Sequence, residues 1–286
     1  MSIATIAPTR PATATRLPLD WQSVAVRVLF AIAVLILWEL VVRLAKVPPY
    51  ILPPPTGLGF VKGTLTFSEN SVLAAFRHML IDGSLRAGLL ASTSRMVIGY
   101  GISVVFGLLL GVLTARIWIA KQTIGSLILA LQSLPSICWL PFAIIWVGLN
   151  EGAILFVIIL GATFAIAIST DGAIRNVPPI YLKVGRVLGA RNFTFSRDIL
   201  FFAALPELLG GLKVGWTFAW RSLMAAELLR ADVPGIGSLL QTGRDFNDMP
   251  MMFATVLTIL TIGVLVDSLG FGWAERKVRR RYGLEK

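Results

Sequence analysis

Residues 183–206 read KVGRVLGARNFTFSRDILFFAALP. The stretch is polar and basic, yet apolar segments long enough to cross a bilayer flank it on both sides. Pro178-Pro179 stand just before it, and proline suits the first turn of a helix. Ile180, Leu182, Val184, Val187 and Leu188 then supply apolar side chains, with Lys183, Arg186 and Arg191 among them. Gly189 fits the left-handed stop that ends a helix. The spacing predicts a short helix with one apolar side, set at a membrane surface between two spans. Something must bury that side: a partner protein or the bilayer itself.

The composition places the whole chain in a membrane. Hydrophobic residues make up 56% of its 286 residues and charged residues 14%, against about 25% charged in soluble domains. A crossing helix needs about 20 mostly apolar residues. Six such spans are predicted, at about 28–44, 95–115, 124–149, 153–170, 206–229 and 252–271. The third is broken by Pro135 and Pro141. The expected fold is an all-α polytopic membrane protein of six transmembrane helices, with the short helix between spans four and five. Residues 1–20 are rich in Thr, Ala and Pro and lack an apolar signal segment. The expected organisation is a disordered cytoplasmic tail at 1–25, a transmembrane domain at 26–275 and a basic cytoplasmic tail at 276–286.

The net charge of +11 follows from topology and does not require nucleic acid. With both termini in the cytoplasm, the inner segments hold 16 Lys and Arg and the outer segments 7, as the positive-inside rule demands. Arg276, Lys277, Arg279, Arg280 and Arg281 anchor the C-terminal end at the lipid surface. On the outer side, Pro48-Pro49 and Pro53-Pro54-Pro55 force an extended exit from span one, and 72–93 is expected to form an interfacial helix.

Enzyme chemistry finds no support. The phosphate-loop, G-x-S-x-G and H-E-x-x-H patterns are missing, so no catalytic residue is assigned. One cysteine, Cys138, and one histidine, His78, leave no basis for a disulfide or a metal site. Charges within the spans are costly and therefore informative. Glu39 and Arg43 have the spacing of an intrahelical pair, while Asp267 has no obvious partner. In span five Lys213, Thr217 and Arg221 recur every four residues, and Trp216, Trp220, Leu223 and Glu227 form a neighbouring stripe. These stripes either line a water-filled pathway or brace neighbouring helices. Arg221 in particular either meets an anionic cargo or pairs with Asp267. Trp139, Lys213, Thr217, Trp220, Arg221 and Glu227 are the pathway candidates. Gly107-x-x-x-Gly111 and Gly211-x-x-x-Gly215 permit close helix packing.

The loop spacing resembles the "EAA" loop of binding-protein-dependent ABC transporter permeases. Lys183, Val184 and Gly185 fall at the E-A-A positions, Gly189 at the glycine and Ile199 at the isoleucine. Phe201 and Phe202 replace the usual Leu and Pro, and Leu205-Pro206 matches a second L-P. Ile51 to Pro55, Leu134-Pro135 with Leu140-Pro141, Ile145 to Leu149, and Trp220 to Glu227 are similar to the branch that carries sulfonates, taurine, nitrate and bicarbonate. The resemblance implies a type I ABC importer permease in a bacterial inner membrane. Its implied partners are cytoplasmic ATPase subunits that use ATP-Mg, an external substrate-binding protein, and a second permease chain in a homodimer. It implies no cofactor in this chain. It also implies that Val177, Tyr181, Lys183, Val184, Gly185, Val187, Leu188 and Gly189 couple to the ATPase. An ion-coupled secondary transporter or channel is the alternative; a broken span suits it, whereas a folded basic loop has no place in it.

Overall fold

The computed structural model describes residues 21–61, 64–190, 194–230 and 232–282. Most of the tail expected at 1–25 lies outside these residues. Helix α1 spans Trp21–Leu44. Its Glu39 and Arg43 form the expected pair, with Arg43 Nε donating to Glu39 Oε1 at 2.8 Å. The pair does more than brace one helix. Glu39 Oε2 accepts from both N and Oγ1 of Thr56 at 3.0 Å, and Arg43 also donates to the Leu58 carbonyl. The proline-rich exit is thereby pinned back onto the helix end.

A small antiparallel hairpin follows, β1 (Leu58–Val61) against β2 (Thr64–Phe67), with Leu58 opposite Phe67. An all-helical reading does not anticipate it. Helix α2, Val72–Ile81, is capped by Ser71, whose hydroxyl accepts from Ala74 N. Asp82 and Gly83 end it, and Gly83 takes a φ of 80°. Helix α3 then runs from Ser84 to Arg116, 33 residues or about 50 Å. The interfacial helix expected over 72–93 is thus two pieces, and the second is the start of a long span.

The break in the third span is present. Helices α4 (Trp118–Gln132) and α5 (Ser136–Val147) diverge by 99°. Pro135 cannot donate to the preceding turn and holds an extended ψ of 130°. Helix α6 covers Glu151–Arg175 with Asn150 as its cap. Helix α7 is Pro179–Val187, α8 Phe195–Leu229, α9 Ile236–Asp245 and α10 Met249–Arg281. Among the described residues, α3, α6, α8 and α10 are long and apolar enough to cross a membrane; the bent α4–α5 pair makes a fifth when counted as one span. The basic run at 276–281 continues α10 as helix, and Tyr282 Oη donates to the Phe202 carbonyl at 2.8 Å.

Helix α6 is the axis of the bundle, held between α3 and α8. Small residues make this possible. A Cβ added at Gly107 would lie 2.6 Å from Ile166 Cβ, and one at Gly99 2.7 Å from Ile158 Cγ2. From the other side, a Cβ at Gly211 would lie 2.5 Å from Ser169 Cβ. Apolar side chains such as Phe30, Val97, Leu109 and Leu260 point outward, as they do in lipid. Gly107→Leu should force α3 off α6 and cost at least about 1–3 kcal/mol, seen as loss of monodisperse protein in mild detergent. Gly101→Leu is the control, since nothing lies within 4 Å of a Cβ there, and it should behave as wild type.

Candidate functional site

The first candidate region is the loop that holds α7. Its C-terminal end is a complete Schellman motif. Gly189 has a φ of 79°; its N–H donates to the Arg186 carbonyl at 3.0 Å, and Ala190 N to the Gly185 carbonyl at 3.1 Å. The loop is fixed to the bundle by polar contacts. Arg116 donates to Ser196 Oγ at 2.7 Å, Arg175 to the Thr114 carbonyl at 2.6 Å, and Asn176 Nδ2 to Glu207 Oε1 at 2.7 Å.

Of the eight residues the resemblance assigns to coupling, six share the exposed surface: Tyr181, Lys183, Val184, Val187, Leu188 and Gly189. Val187 is 87% and Leu188 77% exposed, a high value for apolar side chains that lie outside the spanning helices. The other two face inward. Val177 packs with Ala173, Ala204 and Leu208, and Gly185 is closed over by Phe195 and Ile199 of α8. Both lie against the bundle and seat α7 on it.

At the opposite end lies a buried charge network. Arg95 of α3 donates to Glu227 Oε1 of α8 and to Glu151 Oε1 of α6, each at 2.8 Å, and to the Pro234 carbonyl at 2.8 Å. Glu227 is fully buried and Arg95 nearly so. Ser92 Oγ donates to Glu227 at 2.7 Å and accepts from Ile236 N at 2.9 Å, while Gly237 N donates to Glu227 Oε2 at 3.0 Å. The start of α9 is thus built around one carboxylate. Beside it, Arg230 pairs with Asp232 at 2.7 Å, and this hydrogen bond holds the Asp232 carboxyl below its ordinary pKa.

Between these ends the two stripes of α8 part company. Trp216, Trp220 and Leu223 pack into the main core, and Glu227 is locked in the network above. That stripe is structural, and Glu227 and Trp220 do not join an open polar track. On the other stripe, Lys213 Nζ lies 2.8 Å from Asp267 of α10, so Lys213, and not Arg221, takes the partner that Asp267 needed. Thr217 is exposed, with its hydroxyl on the Lys213 carbonyl. Arg221 is exposed and lines a cavity of about 340 Å³ at the α4–α5 break, together with Trp139. Arg221 and Trp139 are therefore the pathway candidates brought together. Sequence reading does not reveal the ion-paired role of Arg95, because 95 falls at the end of a predicted span and its partners Glu151 and Glu227 stand far along the chain.

A polytopic α-helical bundle with a bent helix pair and a short, largely exposed helix at one end defines the class: a membrane-embedded protein. The chain belongs to the family of binding-protein-dependent transport system inner membrane components, whose profile matches residues 103–280. It is 28% identical over 212 residues to the SsuC permease protein of Bacillus subtilis strain 168, named for aliphatic sulfonates transport, covering 74% of this chain and 76% of that protein. The taurine transport system permease protein TauC of Escherichia coli K12 is 26% identical over 249 residues, covering 87% and 86%. Among solved structures, an inward-facing MetNI methionine ABC transporter chain superposes with a TM-score of 0.59 at 19% identity, covering 68% of this chain and 96% of that chain. That likeness concerns the fold.

Proposed function

We propose that the chain is the permease subunit of an ATP-driven importer for a small anion, an organosulfonate foremost. The observation that carries the reading is the exposed apolar surface of α7, held rigid by the Schellman motif outside the spanning helices. In this proposal α7 seats in cytoplasmic ATPase subunits, where ATP-Mg is hydrolysed, and this chain supplies only the route and the lever. Gly185 against Phe195 and Ile199 passes a push on α7 directly into α8, the helix that carries Arg221. The end bearing α2 and α9 meets an external binding protein, and a second copy of the permease completes the pathway. Helix α1 adds the sixth span, and both termini lie in the cytoplasm of an inner membrane. The names of the sulfonate and taurine permeases support the cargo.

The test is co-purification followed by vesicle uptake. An ATPase subunit should accompany the chain, and taurine or an alkanesulfonate should enter only with ATP and a binding protein. Uptake driven by an ion gradient without an ATPase would favour the secondary-transporter alternative. Topology has its own check. Leu240→Cys should react with an impermeant maleimide in intact cells, and Ala190→Cys only after lysis. Outside labelling at 190 would remove the docking role of α7.

A further inference from the structure

We infer that the cavity at the α4–α5 break is a resting subsite for cargo, shaped for an organic monoanion with an apolar body and not for an inorganic oxyanion. This rests on the importer reading and names the chemistry of its cargo.

The charge follows from what lines the cavity. Arg221 is the lone charged side chain on its wall among the described residues, and no carboxylate lines it. The other cations of the bundle interior are committed: Lys213 to Asp267, and Arg95 to Glu151 and Glu227. No ion pair engages Arg221 among the described residues. It sits eight residues before the end of α8, about 12 Å inside. A cation at that depth must face water or an anion.

The shape of the cargo follows from the rest of the wall. The volume of about 340 Å³ falls at the lower end of the roughly 300–1,000 Å³ of small-molecule sites. Apart from Arg221, Gln132, Ser133, Ser136 and the indole N–H of Trp139, the wall is apolar, with Leu134, Phe164 and Phe218 prominent. A small inorganic oxyanion on Arg221 leaves the apolar wall, Leu134, Phe164 and Phe218 among it, uncovered and gains nothing from it. An anionic head on Arg221 with an alkyl body against Phe164 and Phe218 satisfies both parts of the wall.

Protection of an engineered thiol tests this on the complex of permease and ATPase. Ser133 lines the cavity and is exposed, so Ser133→Cys in a Cys138→Ala background gives one reporter thiol, modified by a methanethiosulfonate reagent. The probes are methane-, butane- and hexanesulfonate, nitrate and bicarbonate. Protection should strengthen at least tenfold from methane- to hexanesulfonate and be absent with nitrate and bicarbonate. Arg221→Gln should raise the hexanesulfonate concentration needed at least tenfold, with Arg221→Lys in between. Ala225→Phe, which fills the cavity, should weaken protection by hexanesulfonate more than by methanesulfonate. Equal protection by nitrate or bicarbonate, no protection by any probe, or indifference to Arg221→Gln would overturn the inference. Stimulation of ATPase activity by the binding protein, measured on the same preparation, reports on the importer reading separately. If stimulation is intact while protection fails, only the cavity assignment falls.

Discussion

Arg95→Leu should remove most of the folded protein. Glu227 is fully buried, and without Arg95 its charge keeps, among the described residues, Ser92 Oγ and Gly237 N as partners. Breaking a buried pair from one side costs about 3–5 kcal/mol, a large share of the roughly 5–15 kcal/mol that holds a domain together. The effect should spread beyond the pair. The Glu227 carboxylate organises the turn into α9, where a Cβ on Gly235 would lie 2.6 Å from Glu227 Cδ. The expected result is low membrane abundance and a markedly lower unfolding temperature in detergent. The double variant Arg95→Leu with Glu227→Leu should regain much of the loss, because it removes both charges and leaves apolar volume. A single variant as stable as wild type would show that the network is not a brace.

Leu188→Asp and Val187→Asp should each release the ATPase while leaving the membrane bundle intact. Both side chains are largely exposed and so contribute little buried area to the bundle. If the partner buries them, each contributes about 1.5–3 kcal/mol to the complex, a factor of roughly 10–100 in affinity, and a buried carboxylate adds a further penalty. Gly189→Val acts differently. The space around it is open, but its φ of 79° suits glycine, so valine strains the stop of α7 and tilts the docking surface. Its effect should be smaller but in the same direction. Quantitative pull-down of the ATPase, alongside size-exclusion profiles of the permease alone, decides the matter. Full ATPase retention by both aspartate variants would sink the docking assignment.

The two predictions concern opposite ends of the molecule, and they differed in how far the sequence revealed them. The α7 surface is a local pattern. Pro179 at the start, Gly189 at the stop and five apolar residues between them act within ten residues, so period and capping chemistry alone predict the helix. The α4–α5 break is equally local, since Pro135 interrupts the helix wherever the chain folds. The glycines at 107, 111, 211 and 215 announced close packing, although only the fold shows that α6 is the helix both pairs grip. The hairpin at 58–67 was missed because a four-residue strand carries little periodic signal.

Which charges pair across helices was decided by tertiary structure. Sequence spacing separates Arg95 from Glu227 by 132 positions and Lys213 from Asp267 by 54, and no local rule links them. Burial in a low-dielectric interior selects partners by distance in space, and distance is set by how α3, α6, α8 and α10 lean together. That packing moved Glu227 from pathway candidate to brace, gave Lys213 the partner considered for Arg221, and turned Val177 and Gly185 inward. By itself the sequence determined a helical membrane protein with a proline-bent helix pair and a short capped helix between two long ones, because hydropathy, proline and glycine act locally. Only the tertiary structure decided that Arg221 lines a cavity with no ion pair among the described residues, because that depends on which neighbours the packing of the helices brings near it.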